Sequence, residues 1–292
     1  MNKVVILVDS TCDLDPKYVS EHDIHILPLH VAFQGDPTDY LDGVNINSEQ
    51  IYQKVEELGT TPKTGAMNCG ELIDAFKPFI EEGCDIIFTG IGSTMSSTTN
   101  NAFLAAQEFP EGRIEVVDSM NLSTGTGLLV VKMVQYRDEG LDIHQIAEKV
   151  RPLVPRVSAK FCINQLDYLY KGGRCSGLAL FAAKAFKIKP ICKVIQGKLT
   201  VAKKSLGAYR KAIDLQVEEL KRDLEANNVD TSCVFVTDSQ RMEGDDDYAY
   251  EEVCKLIPRE NVMRTHAGCV VSSHCGPKTI GILYILKEDM KK

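Results

Sequence analysis

The sequence predicts a two-domain α/β protein. An N-terminal mainly parallel sheet with helices on both faces (residues 1–156) precedes a C-terminal α+β domain (residues 157–292). Three observations carry this. A chain of 292 residues is long enough for two domains of ordinary size. Its first half alternates short, nearly continuous apolar runs with amphipathic stretches that stop at glycines, as parallel strands covered on both faces do. Its second half breaks that alternation with a hairpin signal and a long charged helix, which suits an α+β arrangement.

Taken in order, residues 3–9 (KVVILVD) and 24–33 read as apolar, β-branched strands, and 85–89 and 114–118 repeat the type. Between them lie helical patterns. Residues 48–58 open on a polar cap and stop at Gly59, and 69–82 stop at Gly83. Residues 101–108 are alanine-rich, and 124–137 end ahead of Gly140. The glycine stops use that residue's ease with a left-handed conformation. Residues 143–150 form a further helix, with Asp142 and Gln145 at capping-box spacing. Arg151-Pro152-Leu153-Val154-Pro155 ends it and marks the domain boundary. Beyond it come a strand at 158–163 and a small-residue helix at 178–186. Strands at 190–195 and 198–202 flank Gln196-Gly197, a two-residue turn signal. A charged helix over 209–226 and strands at 233–237, 262–267 and 280–286 complete the chain.

Composition excludes several classes. The chain is 44% hydrophobic and 25% charged, an ordinary globular balance. A net charge of -8 offers no electrostatic footprint for nucleic acid. No apolar run approaches the roughly 18 residues that a spanning helix needs, so stable membrane insertion is not expected. Met1-Asn2-Lys3 leads straight into a strand rather than a secretory leader, which points to the cytoplasm. Ten cysteines contain no C-x-x-C, and free thiols without a zinc site are expected.

Residues 85–99 (DIIFTGIGSTMSSTT) carry the richest chemical signal. An apolar strand runs into a turn in which six of the seven residues from 93 to 99 bear hydroxyls, and a helical pattern follows. Such a turn aims backbone N–H groups and the positive end of a helix at one spot, suited to a carboxylate or phosphate. Serine and threonine also cap helices, which accounts for one or two hydroxyls but not for six. The turn lacks Lys and Arg, which argues against a nucleoside triphosphate and for a singly charged group. Gly90-x-Gly92 hints at a dinucleotide fingerprint, but Met95 stands where the third glycine belongs. Ligands on parallel sheets bind beyond the carboxyl ends of strands. Three such ends carry small polar residues here: Asp9-Ser10-Thr11, the 93–99 turn and Asp118-Ser119. They are expected to cluster.

Four further segments stand out. Thr61-Pro62-Lys63-Thr64-Gly65 reads as a loop before a helix, a pattern that serves equally as a plain cap and turn. Tyr170-Lys171-Gly172-Gly173-Arg174 sets a permanent guanidinium after two flexible glycines, where a solvated turn arginine is the simpler account. Ser272-Ser273-His274-Cys275-Gly276-Pro277 puts a histidine in a loop ahead of the last strand, and a lone histidine is more often structural than catalytic. Tyr40-Leu41-Asp42-Gly43 reads as a turn and little else.

In order, Asp9-Ser10-Thr11, Asp42-Gly43, Pro62-Lys63-Thr64, Ser96-Ser97-Thr98, Gly172-Gly173-Arg174 and His274-x-Gly276-Pro277 resemble the DegV family over essentially the whole chain. The resemblance implies a bacterial protein that binds one long-chain fatty acid as its ligand, with no other cofactor. The carboxylate would lie near the domain junction and the acyl tail in an apolar tunnel of the second domain. For some members the resemblance also implies a partner, a fatty acid kinase to which the acid is presented for conversion to acyl phosphate. By matching position, Thr64 and Ser96 would hydrogen-bond the carboxylate. His274 would lie nearby, and Ser97 and Gly276 belong to the same fatty-acid site. Arg174 would face the kinase or the transferred phosphoryl group. No catalytic residue is implied. The stretch 178–188 (LALFAAKAFKI) is a candidate tunnel lining, and equally a core-facing helix.

The chain departs from the family pattern at Gly65 and Lys278, where serine and glycine are usual, and at Ser97, where glycine is usual. The first change removes a donor, and Ser97 can restore one. Two other readings compete. One is a serine-dependent acyl hydrolase using Ser96, His274 and an acid such as Asp9 or Asp118. It lacks a G-x-S-x-G elbow, because Thr94 and Thr98 flank Ser96. The other, a sugar-phosphate or nucleotide binder at the 93–99 turn, lacks a lysine there and a Walker pattern.

Overall fold

The computed structural model describes residues 2–173, 188–240 and 244–290. The first half runs β1 (Val4–Asp9), α1 (Pro16–Glu21), β2 (Ile24–Leu27), β3 (His30–Ala32), β4 (Tyr40–Leu41), α2 (Ser48–Leu58), β5 (Lys63–Gly65), α3 (Cys69–Glu81), β6 (Asp85–Gly90), α4 (Thr98–Ala106), β7 (Ile114–Asp118), α5 (Thr124–Asp138) and α6 (Ile143–Val150). The second runs β8 (Val157–Cys162), α7 (Asp167–Gly172), β9 (Ile188–Ile195), β10 (Lys198–Leu206), α8 (Arg210–Glu225), β11 (Val229–Asp238), α9 (Asp245–Cys254), β12 (Val262–His266), α10 (Cys269–Cys275) and β13 (Ile280–Leu286).

The fold is the two-domain α/β arrangement that the pattern predicts. One sheet has the order β2-β1-β6-β7, with every pair parallel. A six-stranded mixed sheet has the order β10-β9-β8-β13-β11-β12 and is parallel at β11–β12. A small antiparallel sheet, β4-β3-β5, stands apart from both.

Side chains of β1 alternate between two cores. Ile6 and Val8 join Leu128, Leu129 and Met133 of α5 and Ile146 of α6. Val5 and Leu7 join Leu72 and Phe76 of α3 and Ala102 and Ala105 of α4. Both faces are covered, so the strands are apolar almost throughout. Helix α5 belongs to both halves. Its cluster also takes in Val157 and Ala159 of β8, Phe235 of β11, and Leu283 and Ile285 of β13. Its buried residues run consecutively from Thr124 to Val130, as expected of a helix covered all round. Gly125 permits the close approach, since a Cβ there would sit 3.3 Å from the Ala159 Cβ. The other face of the mixed sheet is closed by Ile213 and Leu220 of α8 and Ala249 and Val253 of α9.

Several expectations need correction. The run 24–33 is two strands in two sheets, broken where Pro28 lacks the N–H to continue a ladder. Thr64 lies in strand β5 rather than a loop, because Lys63–Gly65 pairs with β3. His274 lies in helix α10 rather than a loop. Helices α1, α7 and α9 have no counterpart in the sequence reading. Strand β10 continues to Leu206 past an irregularity between Val201 and Lys203. The expected helix at 178–186 and most of the proposed tunnel lining fall outside the described residues.

The predicted hairpin is present, and its turn touches the other domain. Gln196 (φ 48°) and Gly197 (φ 75°) both adopt left-handed backbone, as a tight two-residue turn requires. The Thr94 hydroxyl donates to the Gly197 carbonyl. A Cβ at Gly197 would collide with Thr94 Oγ1 and come within 3.2 Å of the Met120 methyl. We expect Gly197→Ala to destabilise the chain by about 1–3 kcal/mol from backbone strain and this collision. Urea denaturation checks it; an unchanged midpoint would remove this contact from the domain interface.

Candidate functional site

The carboxyl ends of β1, β6 and β7 converge as expected. Asp9 Oδ2 accepts from Ile91 N at 2.8 Å, and its Oδ1 accepts from the Thr11 hydroxyl at 2.6 Å. Asp118 Oδ1 accepts from Ser93 N (3.1 Å) and Met120 N (2.9 Å). The Ser119 hydroxyl donates to Gly90 O at 2.6 Å. Gly92 earns its place by closeness rather than as part of a nucleotide fingerprint: a Cβ there would lie 2.9 Å from Asn121 N.

These bonds set the hydroxyl-rich turn at the start of α4, and its side chains divide by task. Thr99 donates to Ile91 O (2.8 Å), and Thr94 holds the hairpin. Ser96 Oγ lies 3.1 Å from Thr98 Oγ1 and accepts from Thr98 N at 3.3 Å. Ser93, Ser96 and Ser97 line a cavity of about 460 Å³. That size is within the roughly 300–1,000 Å³ of small-molecule sites.

The cavity lies between the halves. Its polar lining includes Thr64 of β5, the three serines, Asn100 and His274 of α10. Much of its apolar lining comes from the mixed sheet and its neighbours: Phe161, Leu199 and Leu283, with Met95, Leu122 and Leu169. No Lys or Arg is found among the described lining residues. Thr64 Oγ1 and His274 Nε2 are hydrogen-bonded at 2.9 Å, one residue from each half. The imidazole also lies against Gly172 at the end of α7, where a Cβ would collide with Nδ1. Gly276 sits beside the cavity rather than on its lining. Its φ of +71° suits glycine, a Cβ would lie 2.8 Å from the Tyr168 ring, and its carbonyl accepts from the Ser239 hydroxyl at 2.6 Å. Arg174 lies outside the described residues. Among the described residues no group of His, Cys, Asp and Glu is placed to hold a metal.

Sequence reasoning missed two carboxylates that organise this site. Asp13 Oδ1 accepts from Gly268 N at 2.7 Å, and Asp42 Oδ1 accepts from Cys269 N at 2.6 Å. Asp42 Oδ2 accepts from Val270 N (3.2 Å) and the Ser10 hydroxyl (3.0 Å). Asp42 reads as part of a turn and, with Gly43, as one of the segments that carry the family resemblance, with no role of its own. Its only local signal was a carboxylate between apolar Leu41 and Gly43. Burial pushes the Asp13 carboxyl well above the usual range, against hydrogen bonds from Ser123 and Gly268 that pull it down. Burial likewise pushes Asp9 up to about 6, against donors from Thr11 and Ile91.

Comparison with known proteins gives a consistent set of likenesses. A family model described as "Uncharacterised protein, DegV family" matches residues 3–287. A DegV domain-containing protein of Clostridium acetobutylicum is 32% identical over 288 residues, which cover 98% of this chain and 100% of that one. Two solved structures are similar throughout. One shows fatty acid binding by a DegV family protein from Thermus thermophilus: 27% identity, TM-score 0.84, covering 97% of this chain and 100% of that one. The other is a stearic acid-binding protein from Eubacterium ventriosum: 28% identity, TM-score 0.86, covering 98% and 99%.

Asp9 supplies a pH test. In the folded chain it keeps its proton up to about 6, against 3.8 for the ordinary group. Between those values the folded state binds the proton more tightly, so this group's contribution to stability falls as pH rises. We expect the stability of the native chain, measured against Asp9→Asn, to decline from pH 3.8 to about 6 and then level off. A difference that stays constant across this range would contradict the assignment.

Proposed function

The chain belongs to the DegV family, and on that premise we propose that it binds a single long-chain fatty acid in the cavity between its halves. Thr64, Ser96 and His274 receive the carboxylate, with Ser97 at the rim and Gly276 shaping the wall behind. The acyl tail runs along the apolar lining toward Phe161, Leu199 and Leu283. In the same reading residues 1–156 and 157–292 are the two domains. The observation that carries this is the Thr64–His274 hydrogen bond, which joins the halves where an apolar cavity meets a cluster of hydroxyls.

The chemistry supports a carboxylate on a greasy tail. Serine and threonine hydroxyls, an imidazole and the N-terminus of α4 favour one negative charge without a fixed cation. A chain of about fourteen methylenes gains on the order of 10 kcal/mol gross from burial, at roughly 0.8 kcal/mol each. Ordering and association costs remove much of it. Among the described residues no helix is long and apolar enough to cross a membrane. We take the cytoplasm as the site of action.

We further propose that the bound acid is presented to a fatty acid kinase and that the chain has no catalytic activity of its own. Helix α7 ends with Gly172 against the His274 ring and with Gly173 in a left-handed conformation (φ +67°). Arg174 follows directly in sequence. A guanidinium pairs with phosphate through a rigid fork that lysine cannot copy. The hydrolase reading is weaker, since His274 Nε2 meets Thr64 whereas the Ser96 hydroxyl is engaged with Thr98.

Native mass spectrometry of the chain purified from bacteria is expected to show the added mass of one fatty acid, lost on denaturation. Ser96→Ala and Thr64→Val are each expected to weaken binding by about 1–3 kcal/mol, the scale of hydrogen bonds to a charged group. Unchanged titrations with a fluorescent fatty acid would remove these residues from the site. Turnover of a generic ester by the native chain, lost in both Ser96→Ala and His274→Ala, would favour the hydrolase instead.

Arg174→Ala separates binding from presentation. It is expected to hold fatty acid affinity within a few-fold while strongly depressing acyl phosphate formation with a kinase partner. Equal losses in both assays would assign Arg174 to the resting site. Equal retention would make it an ordinary surface arginine.

A further inference from the structure

The small sheet β4-β3-β5 touches α10 at both ends. Thr64 of β5 meets His274 in the last turn of the helix. Asp42, directly after β4, accepts from the N–H groups of Cys269 and Val270 in its first turn. The spacing fits. Seven helical residues span about 10 Å at 1.5 Å each. Strands β4 and β5, separated by β3, lie about 10 Å apart at roughly 4.8 Å per step. Register ties the two contacts together, because Leu41 pairs with His30 and Thr64 pairs with the next residue, Val31.

Asp42 is itself held. Its N–H donates to Leu29 O at 2.9 Å, and Ser10, which donates to Oδ2, accepts from Leu29 N at 3.2 Å. The Cys269 thiol donates to Ile46 O at 3.2 Å. Asp13, just past the turn that follows β1, grips the residue before the helix. Gly268 leaves room for both acids, since a Cβ there would lie 3.1 Å from Asp42 Oδ1 and 3.3 Å from Asp13 Oδ1.

We propose that Asp42, assisted by Asp13, is a positioning residue for the carboxylate site: it fixes α10 by its first backbone N–H groups so that His274 arrives opposite Thr64. The helix comes from the second half and both acids from the first. The contact that completes the site therefore forms only when the halves are locked in this register. The proposal rests on the fatty-acid reading for what His274 does, but not for how His274 is held.

The test uses the full chain, its histidine ring signals in long-range ¹H–¹⁵N NMR spectra, and titration with a fluorescent fatty acid. Asp42→Asn turns one accepting oxygen into a donor facing an N–H group. It is expected to displace the His274 ring signals, leave those of His22 and His144 in place, and weaken acid binding by at least about tenfold, the scale of one charge-assisted hydrogen bond. Ser10→Ala removes one donor from Asp42 and the acceptor of Leu29 N, and leaves both bonds from Asp42 to α10 in place. It is expected to move the same His274 signals by less, and it serves if Asp42→Asn does not fold. A variant that melts earlier while the His274 signals stay put would make Asp42 purely structural and overturn the proposal. Should the native chain bind no fatty acid, the functional reading fails, and the His274 signals still decide the positioning role.

Discussion

Asp13 and Asp42 direct their oxygens to the backbone N–H groups of Gly268, Cys269 and Val270, and much of the molecule is arranged around that contact. The first four N–H groups of a helix have no partner within it. Here carboxylates from the other half of the chain supply partners, and the helix N-terminus favours their negative charge. Charge-assisted bonds of this kind are short and strong, and leaving one half buried without the other is costly. The cost of burying Asp13, visible in its raised pKa, is thereby tied to the docking of α10.

Helix α5 supplies the apolar counterpart. It packs against strands of both large sheets, so the halves share a core instead of touching through wet surfaces. The cavity lies alongside, where the carboxyl ends of the parallel strands face the mixed sheet. That position explains its mixed character. Strand ends deliver hydroxyls and N–H groups, and the inner face of a sheet delivers Phe161, Leu199 and Leu283.

The polar end of the site carries little fixed charge. Asp238 also lines the cavity, and His266 Nδ1 lies 2.9 Å from its carboxylate. A site made of hydroxyls and one imidazole discriminates by shape and by the placement of donors. A lysine would attract any anion. Such a site favours a ligand whose affinity comes from its tail.

Strands β1, β6 and β7, the hairpin at Gln196-Gly197 and the glycine-stopped helices were legible in the residues because each is encoded locally. Alternation, caps and left-handed glycines act within about four residues. The hydroxyl turn stood out as chemistry for the same reason, whereas Thr64 and His274 stood out only through the resemblance to a family. Their assembly was not legible. Pro28 divides a run that looks like one strand, and its two pieces find different sheets. Thr64 becomes a strand residue through pairing with Val31. Asp13 and Asp42 meet N–H groups 255 and 227 residues away. No periodicity marks a carboxylate for a partner that far along the chain. Its role follows from packing, which brings distant segments together and makes a buried charge tolerable only where donors already wait.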